Sequence, residues 1–508
     1  MRGWRVLGLV CSLAWGCGGS PSAEGLQEDE RSALGASVES QVEEPVESGG
    51  HPKLGTARMV KDLFPPISGP PWWGPYPESL VEFRGRLFFA ANFEDGRGEL
   101  WRSDGSRAGT VPVRSFRPPP GTTFSSPLGE LTPLGSRLFF VASDPAHGRE
   151  LWVSDGSAGG TQLVKDIVTG VGDSSPYNLQ AVGNFLIFFR YIGETPTSPA
   201  RTELWRSDGT ASGTVRVQAL GSDTYLSYVQ TVVGDTLFFV LTDPDHGTEL
   251  WKTDGTPSGT MLVKDIAPGP DSSYPFGLQA LGRYVYFTAT EATSGRELWR
   301  SDGTPEGTTL VADMRPGEDS YFIQVLETAD DRLYFTMADP LDGSTLLYRL
   351  RNGSEGPRIR FVATLPNPSD VLDSSTFVTT SVGADGRLFL ALAVHGSGPA
   401  PLDVQLWVTD GTNSGTRMLH HPLSLSDEFG STLFALDDRI LFSGGSATTG
   451  LELWVSNGRR RGTRLLRDLA PGGASSYPQR FTRVGSSVFF VANDGVHGNE
   501  LWVLPLRP

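Results

Sequence analysis

Short apolar runs recur down the chain in which neighbouring residues, not alternate ones, are hydrophobic: RLFFVAS (137–143), TLFFVLT (236–242) and SVFFVAN (487–493). Adjacent residues on a strand point to opposite faces, so strands of this kind need cover on both sides. Gly, Pro, Asp and Ser punctuate the runs at short intervals, which predicts many brief antiparallel strands and no long helix. The stretch after Trp251 shows one full cycle. A turn, KTDGTPSGT, leads to a strand MLVKDI, a loop APGPDSSYP and a strand FGLQAL. A tight turn, a strand YVYFTAT, a loop EATSGR and a strand ELWRS then complete it. That is four strands per unit.

The unit repeats. ELWRSDGSRAGT begins at Glu99, ELWVSDGSAGGT at Glu150, ELWRSDGTASGT at Glu203 and ELWRSDGTPEGT at Glu297. The key aromatic falls at Trp101, Trp152, Trp205, Trp251, Trp299, Tyr348, Trp407, Trp454 and Trp502, about every 48 residues, a period of propeller size. Sheets buried on both faces suit radially packed blades. The ends are complementary: RMVKDLFPPIS (58–68) is a strand without partners before it, and ELWVLPL (500–506) is a strand without a successor. The fold predicted is therefore an all-β propeller of four-stranded antiparallel blades, its ring closed by the N-terminal strand pairing with the C-terminal blade. Nine units are present. The sixth is worn (LLYRLRNGSEGPRIRF, 346–361), which leaves the blade number at eight or nine.

The phrase resembles the repeat of the bacterial ELWxxDGT-repeat proteins, an exported group frequent in myxobacteria, from about residue 58 onward. The resemblance implies export and brings no substrate or catalytic residues. The SDGT turn is also similar to the Asp-box hairpin of sialidase-type propellers, but no Trp follows its Gly, so no activity is carried over. Within the turn, Asp302, Ser301 and Thr304 are placed to bond turn amides, and Gly303 and Gly307 supply unusual backbone angles.

The first residues change the picture. Arg2 and Arg5 precede an apolar run from Val6 to Trp15, the form of a signal peptide (1–16). LAWG before Cys17 resembles a lipoprotein cleavage site, which implies Cys17 as the lipid attachment residue and the membrane as a partner at the cell envelope, outer membrane or surface, with plain secretion as the alternative. Residues 17–55 are rich in Gly, Ser, Glu and Pro and read as a disordered acidic tether. Residues 56–508 are one propeller domain. Cys11 lies in the leader and Cys17 directly follows it, so the body has no disulfide and no cysteine nucleophile.

The formal net charge of −16 argues against nucleic acid as a partner. His147, His246 and His497 recur in the same loop of different units and read as turn residues, not metal ligands. The loops DPDHGT (243–248) and PGPDSS (268–273) lack an established calcium spacing. No cofactor, no metal and no catalytic residue is expected. The SDGT turns keep their length, whereas the loops at 64–79, 190–202, 365–376 and 393–405 are enlarged, and all of these belong to the opposite face of the ring. PPWWGPYP makes Trp72, Trp73 and Tyr76 the candidate ligand-binding residues on it. The basic turn NGRRRGT (457–463) lies on the constant face and reads as solvated. The function expected is a non-catalytic cell-envelope binding or scaffold module for a protein or glycan. A propeller-type carbohydrate-active hydrolase or lyase, and a purely structural envelope protein, are the alternatives. Oligomeric state is not legible in the chain.

Overall fold

The structure, a computed structural model, describes residues 52–64, 77–122, 126–314, 322–368, 374–398, 401–423, 433–446 and 448–507. It is a nine-bladed β-propeller. Blades 1 to 8 occupy 77–116, 128–163, 177–222, 225–264, 276–312, 323–365, 375–420 and 433–467, each a four-stranded antiparallel sheet in chain order. In blade 5 the strands, a to d from the axis outward, are Phe276–Leu281, Tyr284–Glu291, Gly295–Ser301 and Thr309–Ala312. The worn sixth unit is a complete blade, which settles the number at nine.

Blade 9 takes its a, b and c strands from Gln479–Val484, Ser487–Asn493 and Asn499–Arg507. Its outer strand comes from the other end of the chain: Arg58 and Met59 pair with Val503 and Trp502, and Lys53 with Arg507. The sequence-based expectation of a ring closed by its own ends is met.

The doubled apolar pattern of the b strands is explained by nine hydrophobic layers, one between each pair of neighbouring blades. Leu87 and Phe89 face blade 9, packing with Val60, Phe489 and Val503. The intervening Phe88 and Ala90 face blade 2, packing with Leu138 and Phe140. Phe89, Phe139, Phe140, Phe188, Phe239 and Phe287 have no accessible surface. Truncating any one of them to Ala costs roughly 3–5 kcal/mol.

The SDGT turn is a closed hydrogen-bond unit. Asp302 Oδ1 accepts from Thr304 N and Oγ1, and Thr304 Oγ1 accepts from Gly307 N at 2.9 Å. Ser301 Oγ and Thr308 Oγ1 bond at 2.7 Å. A Cβ on Gly307 would lie 1.9 Å from Asp302 Oδ1, so only glycine fits there. The Thr304 hydroxyl holds the Asp302 carboxyl below the usual aspartate range.

Blades are fastened to each other by the lysine of the VKD strand. Lys264 Nζ donates to Thr308 O of the next blade at 3.0 Å and lies 5.5 Å from the Trp299 ring centre. Lys61 repeats this across the seam, donating to Thr110 O at 2.9 Å and sitting 5.1 Å from Trp101. The conspicuous Trp of the repeat is thus an interblade packing residue that also receives a cation.

Candidate functional site: an aromatic crescent at one mouth of the ring

Up-and-down blades put the a–b and c–d turns on one face and the b–c and d–a loops on the other. All four enlarged segments join strand b to c or strand d to a, so the variation gathers on one face, as the sequence indicates. Trp72, Trp73 and Tyr76, the sequence-based candidates, lie outside the described residues, between the closing strand of blade 9 and the first strand of blade 1. Cys17 also lies outside them.

Sequence reasoning missed a second aromatic group on this face. Tyr191, Tyr225, Tyr228, Tyr274, Phe276 and Phe322 are six of the seven exposed Phe, Tyr and Trp side chains among the described residues. Tyr191 ends the b strand of blade 3. Tyr225 opens the innermost strand of blade 4 and Phe276 that of blade 5. Tyr274 lies two residues before the innermost strand of blade 5, and Phe322 one residue before that of blade 6. They form a crescent over four consecutive blades at the mouth of the central channel. Tyr191 and Tyr225 bridge blades 3 and 4, with ring centres 6.1 Å apart.

The inner strands are built to hold side chains at the rim. In blades 1, 2, 3, 5 and 9 a bulge interrupts the a–b ladder, and the residue inside it has positive φ: Ser79, Glu130, Asn178, Gly277 and Arg480. Four of these are not glycine, and such backbone is held only where its surroundings over-determine it. In blade 4 the ladder skips from Leu226 to Gln230, and Tyr228 lies in the gap with 85% of its surface exposed.

The glutamate of ELW positions the loops that carry the crescent. Glu249 is fully buried, and its carboxylate accepts from Ala267 N at 3.0 Å, Ser273 N at 3.2 Å and Ser273 Oγ at 2.6 Å. This ties down the loop that ends in Tyr274 (φ 47°) and Phe276. Glu150 and Glu452 hold the equivalent loops through Ser174 and Ser476. Glu500 receives Leu63 N and Phe64 N, both at 2.9 Å. Burial pushes the Glu150 carboxyl up to about 7 and that of Glu500 up to about 8, and raises Glu249 and Glu452 as well. Burial also takes the Tyr177 hydroxyl, beneath the crescent, up to about 12.

The histidines sit in turns, as expected. His147 N and His246 N each donate to the aspartate three residues before, at 2.8 and 2.9 Å, and His497 N does the same to Asp494. They belong to blades 2, 4 and 9 and do not converge. No group of three or more His, Cys, Asp or Glu among the described residues is placed to hold a metal ion.

No family model matches the chain, and no curated protein matches it. Solved structures do. A puromycin hydrolase aligns at 14% identity over 88% of this chain and 61% of its own, with a TM-score of 0.37. Oligopeptidase B from Leishmania major aligns at 9% identity over 75% of this chain and 53% of its own, with a TM-score of 0.41. The β-propeller domain of the Trilobed protease from Pyrococcus furiosus aligns at 11% identity over 70% of this chain and 98% of its own, with a TM-score of 0.34. The chain spans about three fifths of the length of the puromycin hydrolase chain.

These findings correct the functional expectation. These structures are of a hydrolase, an oligopeptidase and a protease's propeller. They are not of an envelope binding or scaffold module, a carbohydrate-active hydrolase or lyase, or a purely structural envelope protein. The physical reason for the miss is plain. The repeat residues carry packing and turn chemistry, and the leader speaks to location, so neither specified a chemistry.

Proposed function

We propose that the ring is the substrate-receiving part of a peptide-hydrolysing system: it takes extended peptides at the aromatic crescent for cleavage by a catalytic unit outside the described blades. The observation that carries this is the gathering of six exposed Tyr and Phe side chains at one mouth of the channel. Aromatic rings offer large contact area at low entropic cost, and tyrosine hydroxyls can pair with the carbonyls of an extended chain. A strand-like peptide advances about 3.3 Å per residue, so an arc over four blades accommodates several consecutive side chains. The buried glutamates fix the loops beforehand, which lowers the cost of ordering them on binding. In this reading residues 1–16 act as an export signal and Cys17 as a lipid anchor, with the ring on the outer side of a membrane.

The test is fluorescence anisotropy with a labelled, unstructured dodecapeptide containing Leu and Phe. It is run on the native chain and on Tyr228→Ser and Phe276→Ser, with a folded protein as competitor and mass spectrometry of the peptide afterwards. Peptide binding that weakens tenfold or more in both variants, with melting temperatures held and the folded competitor ignored, supports the reading. Failure to bind, or equal binding by the variants, refutes it. Cleavage by the purified chain alone overturns the division of labour.

A further inference from the structure

Blade 6 departs from the repeat at one place. Its c and d strands, Thr345–Gly353 and Gly356–Leu365, are joined by a tight hairpin in place of the SDGT turn, with Gly353 paired to Gly356. The register of this hairpin sets Arg349 opposite Arg360 and Arg351 opposite Arg358. Residues two apart on a strand share a face, so the four arginines lie on one side of the hairpin, where the Arg349 guanidinium reaches the Gly411 turn of blade 7. Like charges directly opposite each other oppose strand pairing. The other side of the hairpin explains itself: Tyr348 stacks on Phe335 with ring centres 5.3 Å apart, and Leu350 is buried against blade 5.

The arginines are poorly matched by acids. Arg351 pairs with Asp331 at 2.8 Å, and Arg358 with Glu355 at 3.0 Å, where the carboxylate is 82% exposed. Arg349 and Arg360 have no ion pair among the described residues. The neighbouring turns add to the asymmetry. The turn aspartate is present in blades 1 to 5 and 7, as Asp104, Asp155, Asp208, Asp254, Asp302 and Asp410. It is absent from blade 6, and blade 8 has Asn457 in its place, followed by Arg459, Arg460 and Arg461. In a chain of net charge −16, negative charge is removed and positive charge added on the same, length-constant face.

We propose that this hairpin is an anion site that takes two phosphate groups of a soluble linear phosphate polymer. Planar guanidinium forks engage phosphate oxygens bidentately. The two arginine pairs follow each other about 7 Å along the strands, a spacing that suits two phosphates of one chain rather than a single ion. The bound anion supplies the charge that the register lacks. The Arg459–Arg461 turn of blade 8 lies on the same face and extends the attraction beyond the hairpin. The site is independent of the crescent and sits on the opposite face of the ring.

The experiment is titration calorimetry of the native full chain with inorganic tripolyphosphate, with orthophosphate and dextran sulfate alongside, at low and moderate salt. The variants are Arg360→Gln and the double variant Arg349→Gln/Arg360→Gln. Tripolyphosphate binding that exceeds orthophosphate by tenfold or more, falls with salt, and drops at least tenfold in the double variant is the expected result. Because the substitution relieves like-charge opposition, Arg360→Gln keeps or raises the melting temperature, so lost binding cannot be lost folding. No tripolyphosphate binding, or equal binding by the double variant, overturns the site. Equal affinity for dextran sulfate overturns the assignment to phosphate.

Discussion

Deprotonating Glu500 should loosen the seam of the ring. This residue has no accessible surface and receives Leu63 N and Phe64 N, so it holds the N-terminal segment against blade 9. Burial raises its carboxyl from the ordinary 4.5 to about 8, and the nearby Asp62 carboxylate pushes the same way. The folded pKa is above the unfolded one. The contribution to stability is therefore complete below about pH 4.5 and is lost as pH rises through 8. Each proton held by the folded chain but not by the unfolded one makes stability fall by about 1.4 kcal/mol per pH unit. Glu500 alone thus carries on the order of 4 kcal/mol between pH 5 and 8. Glu150, raised to about 7, doubles the slope below that value. The turn aspartates, held low by Ser and Thr hydroxyls, act in stronger acid and leave this window untouched. The assay is the guanidinium unfolding midpoint from pH 5.5 to 8.5 at constant ionic strength. The wild type should lose stability steadily with rising pH, and Glu500→Gln, an uncharged isostere of the acid form, should flatten the upper part of that curve. A wild-type midpoint that is constant or rises with pH refutes the reasoning.

Gly307→Ala should destabilise blade 5 by roughly 2–4 kcal/mol through the collision with Asp302, a loss of fixed backbone geometry. Asp302→Ala combined with it should cost less than the sum of the two, as thermal melting of the four-member cycle will show. Lys264→Met should cost about 1.5–3 kcal/mol, because Thr308 O loses a charged donor and Trp299 its cation. The crescent and hairpin variants above should change binding while leaving the melting temperature within a few degrees.

Blade architecture was legible because it depends on residue type at fixed spacing. The Trp interval, the doubled apolar pairs and the complementary ends each reflect a contact that every blade must make. Tyr348 kept the beat even where the rest of the sixth unit was worn, and that unit proved a full blade. The roles of Gly307 and Glu249 were half visible: the sequence marks them as recurrent, and only the folded turn shows a carboxylate where a Cβ would go. The crescent was hidden for a different reason. Tyr228 and Phe276 look like ordinary strand aromatics; Tyr228 lies in a gap of the ladder that propensity does not encode, and Phe276 opens an innermost strand. The signal was present in the runs DTYLSY and SSYPFG, whose aromatics fall at strand starts. The arginines of blade 6 were likewise unremarkable one by one, because register, not composition, sets Arg349 against Arg360.

The pairing that closes the ring also dictates an order of events during synthesis. Met59 and its partner Trp502 are separated by more than four hundred residues, yet they lie side by side in blade 9. A chain made from its N-terminus displays the Lys53–Leu54 and Arg58–Lys61 strands before the blades and must keep them unpaired while eight blades assemble. The apolar face of the second waits for Leu501 and Val503. The ring is a structure whose earliest strands are its last to fold, and any delay before the final residues appear is spent with an open edge that invites pairing with the wrong neighbour.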